Sequence, residues 1–540
     1  MAPDTSPPPT VARSAASAGA ATLTSRVLGV ARESVIAWLF GASEAMDAYR
    51  VAFRIPNLLR DLFAEGAMSA AFVPTFTKRL TDAGRDAALR LGVNVINALI
   101  LITLALVLAG MVFAEPIVRL LVLDEFLVTQ QFASAADKLA LTVFLARIMM
   151  PFLMFIALAA VAMGMLNALR HFFVPAVSPA MFNVASIAGA IGLIPVMTHL
   201  GYHPVTALAV GTLAGGFAQW AVQWPLLRRS GFKYRPSVDW TDEGLSRVLL
   251  LMGPGTLGLA ATQVNVLVNT NLATGQGPGA VSWLDYAFRL MYLPIGLFGV
   301  SVATATTPAI ARLVAVSDMK GVKRTTADSI ALMMMLNMPA MVGLIVLAAP
   351  IVRVMYQHGA FTAADTAATA IAVQFYAIGL VGYSIARIAS PVFYALGSAR
   401  TPVKVSVATV AVNATLNILL VRSIGYSGLA LGTSIAALFN AATLMFLLRT
   451  RLHGIDGGRI WTAFVRIGAA SLVMGAAAMG VDLYLARLWA DPGFAAAALR
   501  LFVTITAALA VLVGAAHLLR IREFEEARAI VVRRLRRSSR

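Results

Sequence analysis

The 540-residue sequence contains no cysteine, which excludes disulfides, thiol catalysis and cysteine-ligated metals. Charge is scarce as well: Asp, Glu, Lys and Arg make up 13% of the chain, against roughly 25% in a soluble domain. That shortfall excludes a soluble enzyme, a disordered chain and a conventional nucleic-acid binder. Acids are the scarcer sign, 25 against 43 Lys and Arg, leaving a net charge of +18. The six histidines (171, 199, 203, 358, 453 and 517) are scattered at the ends of apolar runs, and none forms a metal-spaced pair on a helix. No metal, no other cofactor and no nucleic-acid partner is therefore expected. An integral-membrane enzyme would usually show a sizeable polar loop or clustered acids and histidines, and neither is present.

What the chain has instead is apolar length: 59% of residues are hydrophobic and the mean hydropathy is +0.81. A spanning helix takes about 20 mostly apolar residues. Fourteen such runs lie near 17–40, 46–77, 91–114, 139–168, 176–197, 205–227, 247–272, 281–311, 327–350, 367–397, 402–421, 428–449, 460–486 and 494–519. They are continuous and lack the alternation of barrel strands. The expected fold class is an all-α polytopic membrane protein with fourteen transmembrane helices. The first, second and eighth runs are the least regular because they contain charges. Arg26, Arg32 and Glu33 interrupt the first apolar stretch, which a cleaved signal-peptide core would not tolerate.

Orientation follows from the basic residues. With the N-terminus in the cytoplasm, 28 of the 43 Lys and Arg fall in cytoplasmic segments and 6 outside. That bias places both termini in the cytoplasm, as an even span count requires. The basic stretch Arg520–Arg540 reads as a solvated tail near anionic lipid.

The two halves of the chain resemble each other. Pro56 matches Pro294 at an offset of 238, and Arg79-Leu80 matches Arg312-Leu313 at 233. Ala168-Leu169 and Pro175 match Ala395-Leu396 and Pro402 at 227; Gly211-Thr212 and Leu226-Leu227-Arg228 match Gly432-Thr433 and Leu447-Leu448-Arg449 at 221. The offset shrinks steadily, as loop deletions would make it do. Six helices separate the copies, so both have the same orientation, and two pseudo-symmetric six-helix lobes around a central cavity are expected, an arrangement typical of alternating-access transporters. The expected organisation is a disordered cytoplasmic tail (1–15), an N-lobe (16–230), a C-lobe (240–452), two extra C-terminal helices (458–520) and a basic cytoplasmic tail (521–540).

Charges lie where lipid should be. The first span carries Arg26, Arg32 and Glu33; the second Arg50, Arg54, Arg60, Asp61 and Glu65; the eighth Asp285 and Arg289; Arg147 and Arg387 lie in the fourth and tenth. A charge at mid-bilayer costs at least ~2.5–3.5 kcal/mol, so such faces belong on an aqueous cavity rather than lipid. Arg26 is about 14 Å into its span at 1.5 Å per residue. Arg32, Arg50 and Arg54 have two readings: neutralisation by Glu33, Asp47 and Asp61 (or snorkelling to an interface), or contact with a substrate. For Arg26, Arg60 and Arg289 substrate contact is the favoured reading. Guanidinium pairs two phosphate oxygens at once, whereas lysine, absent from span interiors by this reading, is a hydrated point charge. An anionic, diphosphate-bearing headgroup fits best. Pro254, Pro294 and Gly296 mark bendable places, either packing kinks or hinges.

The stretch Ser25-Arg26-Val27-Leu28-Gly29, then Ala31-Arg32, Asp47-Ala48, Ile55-Pro56-Asn57-Leu58-Leu59-Arg60, Phe63-Ala64-Glu65-Gly66-Ala67 and Ala71-Phe72-Val73-Pro74, closely resembles the start of the MurJ (MviN) family. Gly253-Pro254, Ser282-Trp283, Arg289-Leu290-Met291, Gln357 to Thr362, Tyr394-Ala395-Leu396 and Arg400 to Val403 extend the resemblance over about residues 15–520. These are bacterial lipid II flippases of the multidrug/oligosaccharidyl-lipid/polysaccharide exporter superfamily. The resemblance implies a non-enzymatic inner-membrane transporter that moves undecaprenyl-diphosphate-linked muropeptide to the periplasmic leaflet for peptidoglycan synthesis. Membrane lipids and wall-synthesis proteins are its implied partners. It further implies that Arg26, Arg32, Arg60 and Arg289 line the cavity, that Asp47 and Glu65 are involved, and that the last two helices form a groove for the polyprenyl tail. The alternative is an exporter of another polyprenyl-diphosphate-linked glycan. Asp61 and Tyr292 depart from the pattern: some members have a second arginine after the Arg60 position and an acid shortly after the Arg289 position. A sodium-binding acid of the seventh span is not carried over, since residues 247–272 contain no Asp or Glu. Asn413, Thr415 and Asn417 are polar enough to assist an ion, though hydrogen bonding between helices is the commoner role.

Overall fold

A computed structural model describes residues 11–62, 68–123, 126, 131–489, 493–526 and 528–529. Among the described residues there is no β-strand, and all fourteen apolar runs fall on helix. Residues 1–10 of the expected N-terminal tail, Glu65, and 530–540 of the basic tail lie outside the described residues.

The chain divides into two compact units, Met1–Gly279 and Ala280–Arg540. The first holds α1 (Val11–Phe40), α2 (Glu44–Arg60), α3 (Met68–Val112), α4 (Ala114–Leu121), α5 (Ala135–Met149), α6 (Phe152–Ala168), α7 (Phe173–His199), α8 (Val205–Ala221), α9 (Trp224–Arg229) and α10 (Glu243–Thr274). Ser43 caps α2 by accepting from the Met46 N–H at 3.2 Å. Asp242 caps α10 by accepting from Gly244 N–H at 2.6 Å. Such caps satisfy donors that a helix start leaves open. α3 is broken at Gly84, whose φ of +82° suits glycine, so the end of the second apolar run and the third run lie on separate helical segments either side of it. The fourth run is likewise two helices, α5 and α6, parted at Pro151. Phe72, Phe76, Leu91, Val95, Met165, Leu166, Leu245 and Val248 form one buried cluster joining α3, α6 and α10.

α7 and α8 cross closely through glycines: a β-carbon on Gly211 would meet the Ser186 carbonyl at 3.1 Å. In the repeat-related position, a β-carbon on Gly432 would collide with the Asn417 side chain. The Gly-Thr match between the halves thus marks a crossing where only a small residue fits.

The second unit holds α11 (Ala280–Pro294), a π-helical turn (Ile295–Gly299), α12 (Val300–Ala315), α13 (Met319–Val346), α14 (Ala348–Tyr356), α15 (Ala363–Ile378), α16 (Leu380–Ala395), α17 (Arg400–Ile424), α18 (Tyr426–Arg451), α19 (Gly457–Leu488) and α20 (Phe494–Leu518). α15 starts with a reciprocal cap: Thr362 accepts from the Asp365 N–H, and Asp365 from the Thr362 N–H. α19 and α20 are tied by a two-bond Arg500–Asp482 pair, 2.8 and 2.7 Å. α4 and α14 reveal a repeat match not noticed in the sequence: Pro116-Ile117-Val118-Arg119 against Pro350-Ile351-Val352-Arg353.

Among the described residues, ten helices are long and apolar enough to cross a membrane, or eleven if the pair Ala280–Gly299 and Ser301–Ala315, bent by 40°, is one span. The chain is therefore a polytopic all-α membrane protein. Of the expected spans outside this set, α1 and α2 carry internal charges, while α10 carries Gln263, Asn265, Asn269 and Asn271.

Candidate functional site

In the first unit, α1 presents Arg26 half-buried, with no carboxylate and no hydrogen-bond acceptor paired to it among the described residues. Its surroundings are set by α7, where Asn183 donates to the Ser25 carbonyl at 3.1 Å. Two turns further on, the environment reverses. Glu33 is buried and takes Arg32 Nη2 at 2.5 Å, with Arg50 Nη2 of α2 at 3.8 Å. The Arg32 guanidinium also lies 5.0 Å from the centre of the Phe182 ring. Internal pairing through Glu33 therefore describes Arg32 and Arg50.

Asp47 is buried and accepts the Gly279 N–H at 2.6 Å, fastening the segment after α10 to α2. Arg60, at the end of α2, donates to Asp61 Oδ1 from Nε (3.1 Å) and Nη2 (2.8 Å). Gln263 of α10 reaches the other Asp61 oxygen at 3.4 Å. The acid that departs from the family pattern thus partners the arginine beside it. Both side chains keep access, 27% and 30% exposed, so the pair is open to exchange. Glu65 lies outside the described residues.

In the second unit, Arg289 donates to Asp285 Oδ2 at 2.8 Å, one helical turn back, with side chains 38% and 18% exposed. Three residues on, Tyr292 receives Arg387 of α16 on its hydroxyl. Pro294 ends α11, and Gly296 is buried inside the π turn that bends the span. Pro254 falls well inside α10. Asn417 donates to Asn413 at 2.9 Å within α17, so the bond is within one helix rather than between helices.

Three arrangements escaped the sequence. Lys138 sits in the first turn of α5, fully buried, 3.7 Å from Glu44 and with its ammonium 4.2 Å from the Phe126 ring centre. Asn94 and Asn97 of α3 hold the extended connection before α10: Asn94 exchanges two 2.7 Å bonds with Asp239, and Asn97 donates to the Arg235 and Ser237 carbonyls. Arg79 adds an ion pair to Asp242 at 2.9 Å. The third is the Arg387–Tyr292 contact. Among the described residues, no group of three or more His, Asp or Glu is placed to hold a metal ion. His203 accepts the Val205 N–H at 3.2 Å, and burial holds its pKa below the usual histidine value.

The family model described as lipid II flippase MurJ matches residues 36–501. The chain belongs to the MurJ family. A MurJ relative from Burkholderia cenocepacia, named as a lipid II flippase, is 36% identical over 460 residues, 84% of this chain and 86% of the relative. A solved MurJ structure in an inward closed conformation is 28% identical, covers 92% of this chain and 97% of its own, and has a TM-score of 0.73. An inward-facing multidrug MATE transporter of the MOP superfamily shares the fold at TM-score 0.63 and 17% identity, covering 81% of this chain and 98% of its own. The MurJ relatives are named as flippases, not as enzymes.

Proposed function

We propose that this chain flips lipid II from the cytoplasmic to the periplasmic leaflet of the bacterial inner membrane, with both termini in the cytoplasm and no bond made or broken. Membership of the MurJ family supports the substrate. The observation that carries the binding chemistry is Arg26, a guanidinium at span depth with no carboxylate partner among the described residues. A half-buried guanidinium without a counter-ion favours an anion beside it, and a diphosphate supplies one. Arg26 binds it directly in this reading. Arg60 and Arg289, held by accessible acids, exchange Asp61 and Asp285 for phosphate oxygens. Arg32 and Asp47 hold α1 and α2 in place around Arg26, and Glu65 contributes acidity nearby in sequence.

The chain works by alternating access, bending at Pro254, Pro294 and Gly296. The 40° break after the π turn supports a bend there. The polyprenyl tail stays in lipid along α19 and α20, whose Trp461, Phe464, Leu472 and Phe502 are exposed and apolar.

Depletion of the protein in its native bacterium is expected to cause lysis with lipid II accumulating in the cytoplasmic leaflet, read by extraction of labelled lipid precursors. Loss of a surface polysaccharide without lysis would instead assign a different polyprenyl-diphosphate glycan.

A further inference from the structure

Arg387 lies on α16, eight residues before Ala395, so about 12 Å of helix separates it from that end. It is half-buried, and among the described residues no carboxylate pairs with it. The residues three and four positions away on the same helix face, Tyr383, Ser384, Ser390 and Pro391, are all uncharged. Its recorded partner is a phenol: Nη2 donates to the Tyr292 hydroxyl, and the guanidinium carbon lies 5.7 Å from the Tyr292 ring centre. Gly299 of the π turn leaves room beside it, since a β-carbon there would come within 3.4 Å of Arg387 Cδ.

The comparison with Arg289 is informative. Arg289 and Asp285 together carry no net charge, whereas Arg387 and Tyr292 together carry a full positive one. A guanidinium has five N–H donors and the phenol accepts one, so the fork keeps donors for a second oxygen pair. Tyr292 is 40% exposed and stacks on Phe288, itself 36% exposed, at 5.9 Å, so the cation stands beside an open aromatic surface. Contact with the ring fixes the guanidinium plane without neutralising it. That combination of full charge, fixed plane and open donors suits an oxyanion better than it suits packing.

We infer that Arg387, positioned by Tyr292, is a further anion-binding residue, taking phosphate oxygens of the lipid's diphosphate. Tyr292 then has a purpose at the place where other family members carry an acid: it orients the arginine and leaves its charge unspent. The inference rests on the diphosphate reading above.

The test is binding of undecaprenyl diphosphate and of undecaprenol to the purified full-length protein in nanodiscs. Arg387→Ala is expected to weaken diphosphate binding tenfold or more and leave undecaprenol binding unchanged. Arg387→Lys, which keeps charge and bulk but loses the fork, should weaken it a few-fold. Tyr292→Phe should weaken it a few-fold alone and add nothing in the Arg387→Ala background, a coupling that a merely structural tyrosine would not give. Unchanged diphosphate binding in both Arg387 variants, or equal losses for both lipids, overturns the inference. If Arg26→Ala weakens diphosphate binding while the Arg387 variants do not, this inference alone fails. If the wild-type protein does not distinguish the two lipids, the diphosphate reading fails and takes this one with it.

Discussion

Arg26→Ala is expected to cut exposure of lipid II on the outer leaflet ten- to a hundredfold while protein abundance in the membrane stays unchanged. A charge-assisted hydrogen bond is worth about 1.5–3 kcal/mol, which sets that range. Arg26 has no carboxylate partner among the described residues, so its removal strands no acid. Removing a charge from span depth also relieves an insertion cost of ~2.5–3.5 kcal/mol. Arg32→Ala should behave differently, because it takes from buried Glu33 its 2.5 Å partner and lowers stability as well as transport. Accessibility of lipid II to an externally added degrading enzyme, alongside immunodetection of the protein, separates the two. Wild-type exposure in Arg26→Ala would end the view that this guanidinium grips the substrate.

The second large effect concerns stability. Glu44 and Lys138 are each 1% exposed and 3.7 Å apart, linking α2 to α5. Removing one member takes from a buried charge its counter-ion at 3.7 Å, so Glu44→Ala or Lys138→Ala is expected to destabilise the first unit by about 3–5 kcal/mol. Replacing both, as Glu44→Gln with Lys138→Met, should recover most of that loss, since the pair's attraction largely offsets its own desolvation. Thermal unfolding of purified single and double variants checks both parts. Single variants that melt like the wild type would show that water reaches the pair.

Much of the architecture is legible in the sequence because its determinants are local. Among the described residues, apolar length alone places helix under the runs, and the charges inside α1 and α2 are conspicuous against a 13% background. Breaks in the helices are harder to see: Pro151 and Gly379 interrupt helix within what remain single spans, and Gly84 separates two segments of α3. Pairings between neighbours, such as Arg60 with Asp61 and Arg289 with Asp285, could be read from spacing of one and four residues. Lys138 with Glu44 and Arg387 with Tyr292 could not, because 94 and 95 residues separate the partners and only tertiary packing joins them. One signal was available for Arg387: it was already noted inside a span, and no acid lies within a turn of it. The Pro-Ile-Val-Arg repeat of α4 and α14 was also readable.

The account stands on recognition of a diphosphate by unpaired guanidinium. The most direct measurement compares binding of the purified protein to lipid II with binding to the same lipid lacking its diphosphate. Binding at least tenfold tighter to intact lipid II, with most of that preference lost in Arg26→Ala, is the predicted result. Equal affinity for the two lipids would contradict it.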